Sequence, residues 1–112
     1  SEGAANWMGR YFFSGGTMPS DDLLSHYQRD LKLIEQWKWN GQHYENTCNA
    51  WLDQQDQNWR ELSPLFIRTY GKQDAARWFM RWRLFYMSCA ELFGFNGGNE
   101  WWVSHYLFEK PA

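Results

Sequence analysis

The groups in this chain best suited to chemistry are rings. Trp82, Phe85 and Tyr86 recur with Ala75, Trp78, Phe79, Cys89, Ala90 and Phe93 at three- and four-residue steps, which sets them on one face of a helix. Arg77, Arg81 and Arg83 fall to the sides or the back, so the helix is amphipathic rather than apolar all round. Such a face has two uses. It fills a core, or it walls a pocket for an apolar ligand, and the spacing alone serves both.

Other chemistries are poorly provided for. The three histidines, His26, His43 and His105, are scattered, and Cys48 and Cys89 stand singly without a Cys-x-x-Cys pair. His43 and Cys48, five residues apart, do not share a helical face, so no converging metal-ligand set is expected. His26 reads as a surface residue. The Ser14-Gly-Gly-Thr-Met-Pro-Ser20 stretch has neither G-x-G-x-x-G nor G-K-[ST], which makes it a shaped packing turn rather than a phosphate cradle.

Composition narrows the function classes. Aromatic residues make up 21% of the 112 residues, nine of them Trp. Mean hydropathy is nevertheless −0.75, so the rings sit among strongly polar neighbours. A formal charge of −2 gives no electrostatic basis for gripping phosphate backbones, and nucleic acid is not an expected partner. The start is not signal-like and no apolar run approaches about 18 residues. With two separate cysteines, a reducing cytoplasm is the expected setting.

Several elements must position the rings. Ser20 followed by Asp21 and Asp22 signals a short helix over about 21–29. Leu31–Trp39 alternates as a strand with one polar face, and Asn40-Gly41 turns the chain into a second helix carrying Tyr44, Cys48, Trp51, Leu52 and Trp59. Pro64 breaks that pattern near Ser63, and it restarts toward Tyr70 with Gly71 as its stop. The aromatic helix ends at Gly94, Asn96-Gly-Gly-Asn99 turns, and Trp101–Phe108 is apolar on both faces like an interior strand. Two strands are too little sheet to stand alone. The expectation is an α/β fragment, about four helices plus an antiparallel pair of terminal strands, with residues 1–112 forming the tail of a larger domain.

Several segments then line up in order: Tyr11-Phe-Phe-Ser-Gly-Gly-Thr-Met-Pro-Ser20, His43-Tyr44 with Thr47 and Trp51, Tyr70-Gly71, Trp82 with Cys89-Ala-Glu-Leu-Phe93, and Ser104-His-Tyr-Leu-Phe-Glu-Lys110. Together they resemble the C-terminal part of the cyclopropane-fatty-acyl-phospholipid synthase family of S-adenosylmethionine-dependent methyltransferases. The resemblance implies a Rossmann-like fold whose cofactor-binding half lies upstream, and a C-terminal segment that covers an acyl-chain tunnel. It implies methyl or methylene transfer from S-adenosylmethionine to the double bond of a phospholipid acyl chain, at the inner face of the membrane.

Rings suit that reaction. They stabilise a developing cation without supplying a nucleophile to trap it, and they exclude water. By the same resemblance Trp82, Phe85, Cys89, Phe13 and His105 are expected at the substrate, and bicarbonate is expected to take the leaving proton. The family holds bicarbonate partly by a Tyr four residues before the Cys-Ala-Glu run. Here that position is Phe85 and the hydroxyl belongs to Tyr86, about 100° further round a helix, so Tyr86 is the catalytic candidate. His105 stands where relatives often carry Gln. Two further readings compete: a non-catalytic lipid or membrane-surface module, and a Trp-rich carbohydrate-binding module, ranked last because the rings lie at helical rather than strand spacing.

Overall fold

Asn58 divides the helical part of the chain. In the computed structural model, which describes residues 6–112, α2 (Gly41–Gln57) ends and α3 (Trp59–Tyr70) begins on either side of it. Its backbone N–H and side-chain Nδ2 both donate to the Gln54 carbonyl, at 3.0 and 2.8 Å, while its own carbonyl accepts from the N–H groups of Glu61 and Leu62, each at 3.0 Å. One residue thus serves the orphan groups of two helix ends. The break expected near Ser63 is corrected accordingly. Pro64 lies inside α3, and the carbonyl its missing N–H would have met belongs to Arg60; both residues are exposed, so water can replace the lost bond.

The described residues fold as two units, 38–103 and 6–37 with 104–112. In the first, α2 and α3 pack with α4 (Ala75–Gly94). Gly71 closes α3 at φ 87°, a backbone region where glycine alone is unstrained. Asn40 ties the unit together: Oδ1 accepts from the Gln42 N–H at 2.8 Å to cap α2, while Nδ2 donates to the Gly97 carbonyl at 3.1 Å in the turn after α4. Arg83 of α4 makes a two-point bond with Asp56 of α2, at 2.9 and 3.0 Å. The core is made by Cys48, Phe66, Ala75 and Ala90 with a ring cluster in which Phe79 meets Trp59 at 4.1 Å and Phe66 at 6.3 Å between centroids.

The other unit holds α1 (Trp7–Tyr11), a single 3-10 turn at Leu23–His26, and the paired parts of β1 (Lys32–Trp39) and β2 (Val103–Glu109). The strands pair antiparallel, as expected, and Trp37 stacks on His105 across them at 5.5 Å. The helix expected over 21–29 is only that one turn. Ser20 donates its hydroxyl to the Asp22 carboxylate and Ser25 donates to the Asp22 carbonyl, so short side chains take up groups a longer helix would have used. Asp21 anchors the turn by accepting hydroxyl bonds from Ser104 and Tyr106 of β2. Most of β1 is exposed, and β2 is half-buried rather than sealed on both faces. Among the described residues no helix is long and apolar enough to cross a membrane.

Candidate functional site

Inside the helical unit, α2, α3 and α4 line an open cavity of about 890 Å³. Its apolar lining is Trp51 of α2, Leu62, Leu65, Phe66 and Tyr70 of α3, and Trp82, Phe85 and Tyr86 of α4. Gln54, Gln55, Asn58, Glu61 and Thr69 supply the polar part. Few polar groups within a mostly apolar concavity is the usual make-up of a small-molecule site.

The rings in it are held by one another. Trp82 lies edge-on to Phe85 at 5.5 Å and tilted against Tyr86 at 5.8 Å, and Tyr86 meets Trp51 at 6.2 Å. Trp82 Nε1 donates to the Tyr70 hydroxyl at 3.0 Å, while the Tyr70 ring stacks on Trp78 at 4.4 Å with 10° between planes. The Trp82 indole is therefore fixed in position as well as direction. Phe85 and Tyr86 both reach the cavity although they lie about 100° apart on α4. Burial raises the Tyr86 hydroxyl above the usual tyrosine pKa, and neighbouring Cys48 and Tyr70 add to it. It is a neutral hydrogen-bonding group at physiological pH.

Three of the six residues singled out from the sequence, Trp82, Phe85 and Tyr86, thus come together on one cavity. Cys89 does not line it. Burial, with the Cys48 thiol adding to it, pushes its pKa up to about 11, so it is a protonated packing group rather than a nucleophile. Phe13 and His105 belong to the other unit, Phe13 exposed and His105 stacked on Trp37. Sequence reasoning did not pick out Gln55. A signal was available: Gln55 follows Trp51 by four residues and Cys48 by seven, so it is a polar residue on the apolar stripe of α2. Among the described residues no cluster of three or more His, Cys, Asp or Glu could hold a metal ion.

The backbone of this arrangement is shared with a solved structure. Coclaurine N-methyltransferase, crystallised with N-methylheliamine and SAH, superposes with a TM-score of 0.76 and 36% identity over 93% of the chain. The fold is that of a methyltransferase C-terminal part. In sequence the chain is 36% identical to (S)-coclaurine N-methyltransferase of Thalictrum flavum subsp. glaucum over 109 residues, 94% of the chain, and 34% identical to the Papaver somniferum enzyme of that name over 96% of it. Pavine N-methyltransferase of Thalictrum flavum subsp. glaucum is 32% identical over 94%. The chain spans only 30%, 31% and 30% of these relatives' lengths, and 32% of the solved chain. No protein-family model matches it.

These relatives correct the acceptor. The methyltransferase resemblance holds, but to N-methyltransferases named for coclaurine and pavine rather than to cyclopropane-fatty-acyl-phospholipid synthases. The phospholipid acyl chain and the membrane surface fall as partners. The physical reason is that a wall of rings accepts a flat aromatic amine as readily as an acyl chain, so the rings did not discriminate. With no alkene to attack, the reason for expecting bicarbonate beside Tyr86 goes as well.

Proposed function

We propose that this chain is the C-terminal, acceptor-covering part of an S-adenosylmethionine-dependent N-methyltransferase whose acceptor is a small ring-bearing amine of the alkaloid type. The observation that carries this reading is the match, in sequence and in backbone, to coclaurine N-methyltransferase over nearly the whole chain. The ring-lined cavity supports it, because its volume of about 890 Å³ suits a small ligand of two or three rings.

The described residues contain no glycine-rich turn between a strand and a helix, so they do not themselves fit the cofactor's nucleoside. We assign cofactor binding to the part of the protein outside this chain. When bound, S-adenosylmethionine supplies an electrophilic methyl group on sulfur. What this chain contributes is the acceptor's surroundings. Trp82, Phe85 and Tyr86 stack against the ring system and limit its approach to a narrow range of orientations, which lowers the entropic part of the barrier. Their faces also stabilise the positive charge that the amine nitrogen gains as its lone pair becomes a bond to carbon.

The test is direct. The full-length protein, incubated with S-adenosylmethionine and coclaurine, should yield a product heavier by one methyl group, located on nitrogen by fragmentation. Methylation on oxygen or carbon, or none on any secondary ring amine, would overturn the proposal.

A further inference from the structure

The sequence contains two Asn-Gly dipeptides, Asn40-Gly41 and Asn96-Gly97, and the fold treats them differently. An asparagine before glycine can react with its own backbone, because the glycine has no side chain to hinder the approach of its nitrogen. That nitrogen attacks Cγ of the asparagine, a new N–Cγ bond forms, and the Cγ–Nδ2 bond breaks. Ammonia leaves with the proton that the glycine nitrogen gives up, and a five-membered succinimide remains. Water then opens the ring: cleavage at Cγ gives aspartate, and cleavage at the main-chain carbonyl gives isoaspartate. The carboxamide must be free to turn, and the peptide after it free to rotate.

Asn40 meets neither condition. Its Oδ1 accepts from the Gln42 N–H at 2.8 Å, and its Nδ2 donates to the Gly97 carbonyl at 3.1 Å and to Asn99 Oδ1 at 3.3 Å. Gly41 is buried so close to the Phe93 and Trp101 carbonyls that not even a methyl group fits. Asn96 meets both. It and Gly97 are exposed in the turn after α4, and its carboxamide donates to an exposed carboxylate, Glu100, at 3.1 Å. A Cβ placed on Gly97 would make only ordinary contact, at 3.6 Å, with the Asn99 side chain. Asn96 also sits at φ 51°, a left-handed conformation that disfavours side chains, so the turn gains little by holding it there.

We propose that Asn96 is a site of spontaneous deamidation in the folded protein, and that its conversion to aspartate and isoaspartate loosens the cap of α2. Either product sets a second carboxylate against Glu100, where Nδ2 had donated. Isoaspartate also adds one atom to the main chain just before Gly97, whose carbonyl holds Asn40 Nδ2. Gly98 lies against Asn40 Oδ1 with no room for a methyl group, so the turn cannot lengthen without displacing that side chain. Asn40 Oδ1 is the group that caps α2.

The experiment ages the full-length protein in warm, mildly alkaline buffer beside a short peptide of the sequence Phe95 to Glu100. Peptide mapping follows the replacement of NH2 by OH at each asparagine, and chromatography separates isoaspartate from aspartate. Asn96 should convert at least about tenfold faster than Asn40, which must first break two more hydrogen bonds. The unfolding midpoint of the aged protein should fall. Asn96→Gly, which keeps the left-handed turn and cannot react, should hold its midpoint over the same period. Conversion at Asn40 as fast as at Asn96, or an Asn96 that stays intact while the peptide converts, would overturn the proposal. So would conversion that leaves the midpoint unchanged, or a fall that Asn96→Gly does not prevent. If Asn96→Gly does not fold, the isoaspartate fraction separated from the aged wild type replaces it, and a midpoint equal to that of the unconverted fraction overturns the proposal.

Discussion

Phe79 and Phe85 stand six residues apart on α4 and divide its ring face into two functions, which truncation should separate. Phe79 packs between Trp59, at 4.1 Å, and Phe66, at 6.3 Å. A buried aromatic side chain removes roughly 150–250 Å² from water, worth about 4–6 kcal/mol at 25 cal/mol per Å², and partial exposure of this ring trims that to about 3 kcal/mol. Phe79→Ala also opens a void inside a packed cluster, which adds to the loss. Phe85 instead faces the cavity. Removing it enlarges a space that already exists, so no new sealed void forms and about 1 kcal/mol is expected from the lost contact with Trp82. Urea unfolding of the full-length protein gives both numbers, and methyl-transfer kinetics on the folded fraction give the other half. Phe85→Ala should raise KM for a ring amine about tenfold or more, while Phe79→Ala should leave it within about threefold. Equal destabilisation by the two changes, or a KM effect confined to Phe79→Ala, would refute the division of the face into core and wall.

Three other outcomes are expected. Gly41→Ala should cost about 2 kcal/mol or more, because the added methyl meets the backbone carbonyls of Phe93 and Trp101, which cannot swing aside as a side chain would; thermal unfolding reads it, and an unchanged midpoint would contradict the close approach. Arg83→Ala should lower the unfolding midpoint only slightly at low salt, and less at 1 M salt, since the Arg83 and Asp56 side chains keep 27% and 37% of their surface exposed and solvent screens the pair. Cys89 has its pKa raised, mainly by burial, from 9.0 to about 11, so the fold favours the neutral thiol. Its contribution is complete below pH 9 and is lost as pH rises through about 11, and unfolding midpoints across that window should fall more steeply in the wild type than in Cys89→Ala.

What was legible in the sequence was local. The ring stripe of α4, the glycine stop at Gly71 with its φ of 87°, and the Asn96-Gly-Gly-Asn99 turn each depend on a handful of neighbouring residues. The misreadings share a different trait. Whether Pro64 ends a helix depends on whether the orphaned Arg60 carbonyl can find water, and both residues turned out to be exposed. Whether Ser20 starts one depends on what else competes for Asp22. Exposure and competition are tertiary facts, and propensity does not contain them.

The same boundary separates the ring wall from its specificity. Trp82, Phe85 and Tyr86 could be named in advance because three- and four-residue spacing is enough to gather them. Rings, however, bind by area and shape, which an acyl chain and a flat amine both satisfy, so gathering these three on one cavity did not prevent the wrong acceptor from being read. Discrimination between ligands comes from polar atoms that are costly to leave unpaired. Polar side chains on the cavity are oriented from far along the chain: Gln55 donates to the Phe79 carbonyl 24 residues away, and the Tyr70 hydroxyl accepts from the Trp82 indole 12 residues away. A polar residue on an apolar helical stripe is the only trace that such a group leaves in sequence. Gln55 on the Cys48 and Trp51 face of α2 is that trace, and only the fold shows that it lines the cavity.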